Sequence, residues 1–408
     1  MGLFSRSKKK SKEEIRQEQE EENIARKVEQ QREDHAELCW PGVPKLNGMI
    51  VGGGMLSGPD PLDQEQKDKI GDLVFLPNLP VADVQERNLQ ELLFLLTTLE
   101  AFQQSSPLEN FEANRSIIVG EIMSRVRNSS RIYVIYDDDL HYPLIDNGMI
   151  SIYINKERAQ LACELFKHQF RNAVVREMKL RNDDGEVIQG NFFDYSYFLG
   201  TMAMWLDNGF YRCRIRSFDM AAPRGWDDKK QELKNPNLVF SVLDFLQEAK
   251  WKVKYPKHRE NIEKKQQRML VELKKAMLIV PARIQEKPDG PVKVEDLMPK
   301  LLMVEAKDKN RYLPVCTDGV EYAKMQQAGG LEGAKNLILD FHSITLLAQN
   351  SSGILLNPKG EKLIIKKKDL EILDKIKILS KAEQEEQARQ EQQQKQQEEQ
   401  HRQTTLGG

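Results

Sequence analysis

Tyr312-Leu313-Pro314-Val315-Cys316-Thr317-Asp318-Gly319-Val320-Glu321 carries an apolar, aromatic stretch straight into a helix start. Tyr312 to Cys316 has the composition of a strand, and Asp318 followed three residues later by Glu321 is the pattern that caps a helix. Ala323 and Met325 give that helix an apolar face. Upstream, Leu301 to Ala306 reads as a strand. Downstream come a short strand Leu337 to Leu339, a helix Phe341 to Ala348, the turn Ser351-Ser352-Gly353, and a strand Ile354 to Asn357. Before all of these, Asn235-Pro236 is an N-cap followed by proline at the first helical position, with Val239, Val242, Leu243 and Leu246 at helical spacing. A second helix bearing Met269, Leu273 and Ala276 leads into a strand Met277 to Ala282.

The same order occurs earlier in the chain. Leu89, Leu92, Leu93, Leu96 and Leu99 mark a helix with one buried face, opened by Asn88 and Glu91 as a capping box. A helix with Ile118, Ile122 and Val126 follows, then a strand Arg131 to Tyr136 that stops at Asp137-Asp138-Asp139. Met149 to Ile154 is a strand, Asn155 caps a helix Lys156 to Phe170, and Ala173 to Met178 is a short strand. A helix Phe193 to Trp205, the turn Asp207-Asn208-Gly209 and a strand Phe210 to Ile215 complete the set. Repetition of order at this scale predicts two tandem α/β modules with mixed, α+β-type sheets, over 86–219 and 235–379.

The 408 residues correspond to two or three domains at about 150 residues each. Lysine plus arginine is 61 and aspartate plus glutamate 63, so the formal charge is −2 and no global field steers the chain onto nucleic acid or an anionic membrane. Residues 1–36 read as a charged helical or disordered arm with few apolar positions, and 380–408 as a Gln/Glu-rich low-complexity tail. Residues 37–85, with Gly52-Gly53-Gly54, Gly58-Pro59 and Asp60-Pro61, read as a Gly/Pro-rich linker. No apolar run approaches the length of a spanning helix, and the N-terminus has no apolar signal region. Cys39, Cys163, Cys213 and Cys316 are scattered without paired spacing, as free thiols would be. The expectation is a soluble cytoplasmic protein.

The run Tyr312 to Glu321, then Phe341-His342-Ser343-Ile344, then Gly353-Ile354-Leu355-Leu356-Asn357-Pro358, resembles the N-terminal domain of the SseB family, bacterial proteins named for enhanced serine sensitivity. The matching features are a Pro-Val strand leading to an acidic helix start, and a Gly to Asn-Pro strand followed by an extended edge and a final helix, Lys362 to Leu373. Cys316 stands where the family has Phe. The earlier module fits by order: Ser151-Ile152-Tyr153-Ile154-Asn155 matches the strand and cap, while the Asn-Pro is missing. The resemblance implies a small α/β binding or accessory domain in a bacterial protein, with Pro314, Thr317, Asp318, Asn357 and Pro358 as the family-motif positions. Asn before Pro also suits a turn that ends a strand.

Other motifs support little chemistry. The glycine run at Gly52 lacks the Lys of a phosphate loop, since Pro59 follows Gly58. Asp137, Asp138, Asp139 and His141 cannot all converge on a cation from an extended strand. The six histidines show no zinc spacing, and no nucleophile elbow is present. The expectation is therefore no catalytic residue, no metal and no cofactor, with another protein as partner. Two alternatives stand beside it: an enzyme with a site between the modules, or an adaptor to nucleic acid or an acidic membrane surface through Lys366, Lys367 and Lys368 and the basic Lys8 to Lys12.

Overall fold

The computed structural model describes residues 12–43, 59–207, 210–220, 233–283 and 301–376. The Gly52 run, the basic stretch Lys8 to Lys10, the Asn208-Gly209 turn and the tail from Ser380 lie outside them. The chain forms two units, Met1–Gln231 with Val239–Lys265, and Glu232–Leu238 with Gln266–Gly408. No helix among the described residues is long and apolar enough to cross a membrane.

The first unit opens with α1 (Lys12–Asp34), exposed along most of its length but fastened at its end. Arg32 pairs with Asp72 at 2.9 Å, and the buried His35 ring stacks on Phe102 with centroids 5.4 Å apart. The stretch expected as a linker is folded beyond Pro59. It holds α2 (Gln64–Gly71), a 3-10 turn Asp72–Phe75 and α3 (Val81–Glu86), and it buries Leu62, Ile70, Val74, Phe75 and Leu79. Its polar composition hides a helix, α2, whose one large apolar side chain, Ile70, is buried. Trp40 locks onto it: a Cβ at Gly71 would lie 2.7 Å from the indole ring, so this close approach requires glycine.

Next come α4 (Leu89–Ser105) and α5 (Phe111–Asn128), then β1 (Arg131–Asp137), β2 (Tyr142–Pro143), β3 (Ile145–Asp146), β4 (Met149–Tyr153), α6 (Lys156–His168) and β5 (Ala173–Lys179). They are followed by α7 (Phe192–Phe198), β6 (Ala203–Leu206), β7 (Cys213–Arg216) and α8 (Ser217–Met220). The asparagine capping box of α4 is present, but Leu92 to Leu96 are all buried, so this helix is enclosed rather than one-faced. The helix expected over Phe193 to Trp205 stops at Phe198. Gly200 adopts a φ of +71°, its N–H and that of Thr201 bond back to Tyr197 and Ser196, and Ala203–Leu206 leaves as a strand.

α9 (Pro236–Lys250) and α10 (His258–Lys275) precede β8 (Leu278–Ala282), β9 (Val304–Glu305), β10 (Arg311–Val315), α11 (Gly319–Gln327), β11 (Lys335–Leu339), α12 (Phe341–Leu347), β12 (Gly353–Leu356), β13 (Leu363–Lys366) and α13 (Lys367–Lys375). The module boundary expected at 235 is displaced: Val239–Lys265 belongs to the first unit. The reason is a polar latch on α9. The Gln247 side chain accepts from the Ile145 N–H at 2.8 Å and donates to the Pro143 carbonyl at 2.8 Å, completing the β2–β3 segment. The Trp251 indole N–H donates to the Gln169 carbonyl at 2.9 Å, and the Arg171 guanidinium lies 3.6 Å from the Trp251 ring centroid.

Pairing follows one plan in both units. In the first, β5 lies antiparallel to β1, β1 antiparallel to β4, β4 parallel to β6 and β6 antiparallel to β7. In the second, β11 is antiparallel to β8, β10 is parallel to β12 and β12 antiparallel to β13. An antiparallel bridge, Ile279 with Cys316, joins β8 to β10. Register equates Ile152 and Leu206 with Val315 and Leu356, so Tyr153, Ile154, Asn155 and Asp207 correspond to Cys316, Thr317, Asp318 and Asn357. The cores match by exchanged volume. Tyr153 packs in one cluster with Ala159 and Ala162, whereas Cys316 packs with Tyr322 and Met325 at the corresponding helix positions.

Candidate functional site

The motif residues of the second unit converge at the end of β10. Asn357 is fully buried with a φ of +47°, and its N–H donates to the Val315 carbonyl at 2.8 Å. Its side-chain oxygen accepts from the Thr317 N–H at 2.9 Å, and its amide nitrogen donates to Thr317 Oγ1 at 2.9 Å and Glu361 Oε1 at 2.6 Å. Thr317 Oγ1 donates to Asp318 Oδ2 at 2.8 Å, while Asp318 Oδ1 accepts from the Glu321 N–H at 3.0 Å as the α11 cap. Pro314 is buried in β10 opposite Leu355, and Pro358 is buried in the turn whose Gly360 N–H bonds to the Asn357 carbonyl. These five positions form a joint between two strand ends and a helix start, with their polar atoms turned on one another.

Lys366, Lys367 and Lys368 lie apart from that joint, where β13 becomes α13. Lys367 Nζ donates to the Gln349 carbonyl at 2.8 Å, and Lys366 and Lys368 are exposed. His342, at the start of α12, pairs with Asp374 at 2.8 Å on the surface. Asp137 accepts from the Leu140 N–H at 2.9 Å, closing the turn after β1. Among the described residues no cluster of three His, Cys, Asp or Glu side chains is placed to hold a metal ion. Cys163, Cys213 and Cys316 are buried and Cys39 is exposed; burial pushes the Cys213 thiol up to about 12.

The first unit uses the equivalent joint differently. Asp207 follows β6 with a φ of +56° and bonds its N–H to the Ile152 carbonyl at 2.9 Å, as Asn357 does to Val315. Ile154 replaces Thr317, so the hydroxyl partner is gone. Asp207 is 2% exposed, and its Oδ1 makes no hydrogen bond. Burial pushes its carboxyl up to about 7, against the opposing pull of the Arg158 guanidinium. The residue lines a cleft of about 300 Å³ with Leu62, Gln66, Leu89, Gln90, Ile154 and Arg158. Gln90, 8% exposed, has neither side-chain polar atom bonded. Arg158 is held at the wall, its guanidinium 5.0 Å from the Phe210 ring centroid.

A buried ion network lies at α9 and α10. Glu248 accepts from Lys265 Nζ at 2.9 Å and from the Tyr255 hydroxyl at 2.7 Å, with Arg171 at 3.9 Å. Burial raises the Glu248 carboxyl, but the charge of Lys265, helped by the hydrogen bonds and Arg171, outweighs it and leaves the group below the usual range. Every charge there faces an opposite one, which makes it a structural clasp.

Sequence reasoning singles out the joint of the second unit and misses its counterpart. Asp207 reads as a turn residue before Asn208-Gly209, and Gln90 as the second residue of a capped helix. The one available signal is Leu92 to Leu96: a helix apolar all round is enclosed, so a polar residue on its first turn is a candidate for burial. Comparison of the chain with family models, curated proteins and solved structures found no match.

Proposed function

We propose that the chain is a non-catalytic binding protein of the SseB type, an accessory to a partner protein in the bacterial cytoplasm, with the cleft of the first unit as its ligand site. The observation that carries this reading is the contrast between the two equivalent joints. Thr317, Asp318 and Asn357 satisfy one another, whereas Asp207 and Gln90, which line a cleft walled by Pro61, Leu62, Leu89 and Ile154, each hold buried polar atoms without a hydrogen-bond partner. A polar group buried without a partner costs about 1–3 kcal/mol, which a ligand can recover. Among the described residues the cleft lining contains no serine, cysteine, histidine or lysine, so recognition fits it better than covalent chemistry.

The test is capture from the source cytoplasm by the full-length chain, with retained proteins and small molecules identified by mass spectrometry. The reading expects a partner and a ligand retained in stoichiometric amount, with the ligand recovered chemically unchanged after prolonged incubation. Turnover of the retained molecule, lost in D207N, would establish the enzyme alternative instead.

A further inference from the structure

We propose that the cleft of the first unit takes a small planar molecule through an amide edge, a carbonyl oxygen beside an N–H, read by the Gln90 carboxamide and the Asp207 carboxyl. The inference rests on the binding reading above and adds the class of ligand. Gln90 offers one acceptor and an NH2 donor, and both are unbonded and buried. An amide edge satisfies the two at once in a cyclic pair of hydrogen bonds. A second N–H on the ligand then has Asp207 Oδ1 as acceptor.

An oxyanion is a poorer fit. It carries acceptors only, so it would leave Gln90 Oε1 and an ionised Asp207 unsatisfied. One first-turn amide at each helix start beside the cleft is also already capped. Asn88 Oδ1 accepts from the Glu91 N–H, Glu91 Oε2 accepts from the Asn88 N–H, and Asn155 Oδ1 accepts from the Arg158 N–H. An ammonium ligand would meet the Arg158 guanidinium on the same wall. The apolar surfaces of Pro61, Leu62, Leu89 and Ile154 match the faces of a flat heterocycle whose polarity lies at its rim. A cleft of about 300 Å³ holds one such ring with room to spare.

Duplication strengthens the inference. At the corresponding place in the second unit, Asn357 meets Thr317 Oγ1, the Thr317 N–H and Glu361, so its polar atoms are internally bonded. The ligand's second N–H stands in for the Thr317 N–H that Asn357 Oδ1 accepts in the second unit. Asp207 faces Arg158 from α6 and Tyr153 from β4, the charged and titratable groups that act on it.

The probe is uracil, titrated into the full-length chain by calorimetry at pH 6 and pH 8, across which it stays neutral. The expected result is saturable single-site binding, tighter at pH 8, where Asp207 is ionised and accepts. Gln90→Leu should weaken it about tenfold or more, since two buried hydrogen bonds are lost. D207N should remove the pH dependence. Leu89→Trp, at a half-buried wall position, should block the cleft without touching either polar group, which covers the case of a poorly folded Gln90 variant. Phosphate, benzoate and N-acetylglutamine amide run beside it. Preference for phosphate or benzoate overturns the inference, and so does binding of the carboxamide alone, which would make the ligand a protein side chain. Absence of binding by every probe also overturns it, while unchanged ligand recovered by capture would leave the broader binding reading standing.

Discussion

At Asp207 a single methylene-linked carboxyl distinguishes two copies of one backbone turn. The acid keeps its proton to about pH 7 in the folded chain and to about 3.8 when unfolded. Folding therefore takes up a proton between these values. The stability contribution is whole below pH 4, falls as pH rises, and is lost by about pH 7, a change on the order of 4 kcal/mol. D207N should flatten this dependence and be the more stable protein at pH 8, as read by urea unfolding at pH 5 and pH 8. At Asn357 the polar contacts and the left-handed backbone contribute separately. Asn357→Gly should lose about 1–3 kcal/mol from the Thr317 and Glu361 bonds, and Asn357→Ala about 1 kcal/mol more from backbone strain, in the same assay. Equal losses would show that the φ of +47° carries no strain.

Between elements, the pairing of α6 with its sheet and of α11 with its own shows how a duplicated fold can hide from its sequence. The caps Asn155 and Asp318 are local and therefore readable, as are the strands that precede them. The residues beneath the helices have traded sizes, Tyr153 over two alanines and Cys316 over Tyr322 and Met325, so the likeness is lost at these packing positions. Cys316→Tyr should overfill the second unit and destabilise it by about 1–3 kcal/mol, with much of the loss regained when Tyr322→Ala and Met325→Ala are added. A triple variant no more stable than the single one would refute the equivalence. The short β9 and the early end of α7 escape a reading by periodicity because pairing partners and a glycine turn set their limits. The candidate site is illegible for a related reason: burial of Gln90 and Asp207 is decided by segments far away in the chain.

Across the whole molecule, sequence order and unit membership disagree. Helical spacing identifies α9 correctly, but only the Gln247 and Trp251 contacts tell which unit owns it. A fragment 12–234 should therefore be poorly folded, with the β2–β3 backbone groups that Gln247 completes left unpaired, whereas 12–265 should show dispersed amide spectra and cooperative melting. Comparable spectra from both fragments would return α9 to the second unit. The same latch has a consequence for synthesis. When the last strand of the first unit, β7, and α8 after it have been made, the unit still lacks Val239–Lys265. At about 5–20 residues per second, the roughly 45 residues from Met220 to Lys265 leave its β2–β3 edge open for about 2–9 seconds on the ribosome. Nascent chains stalled within that interval would be the ones most dependent on a chaperone.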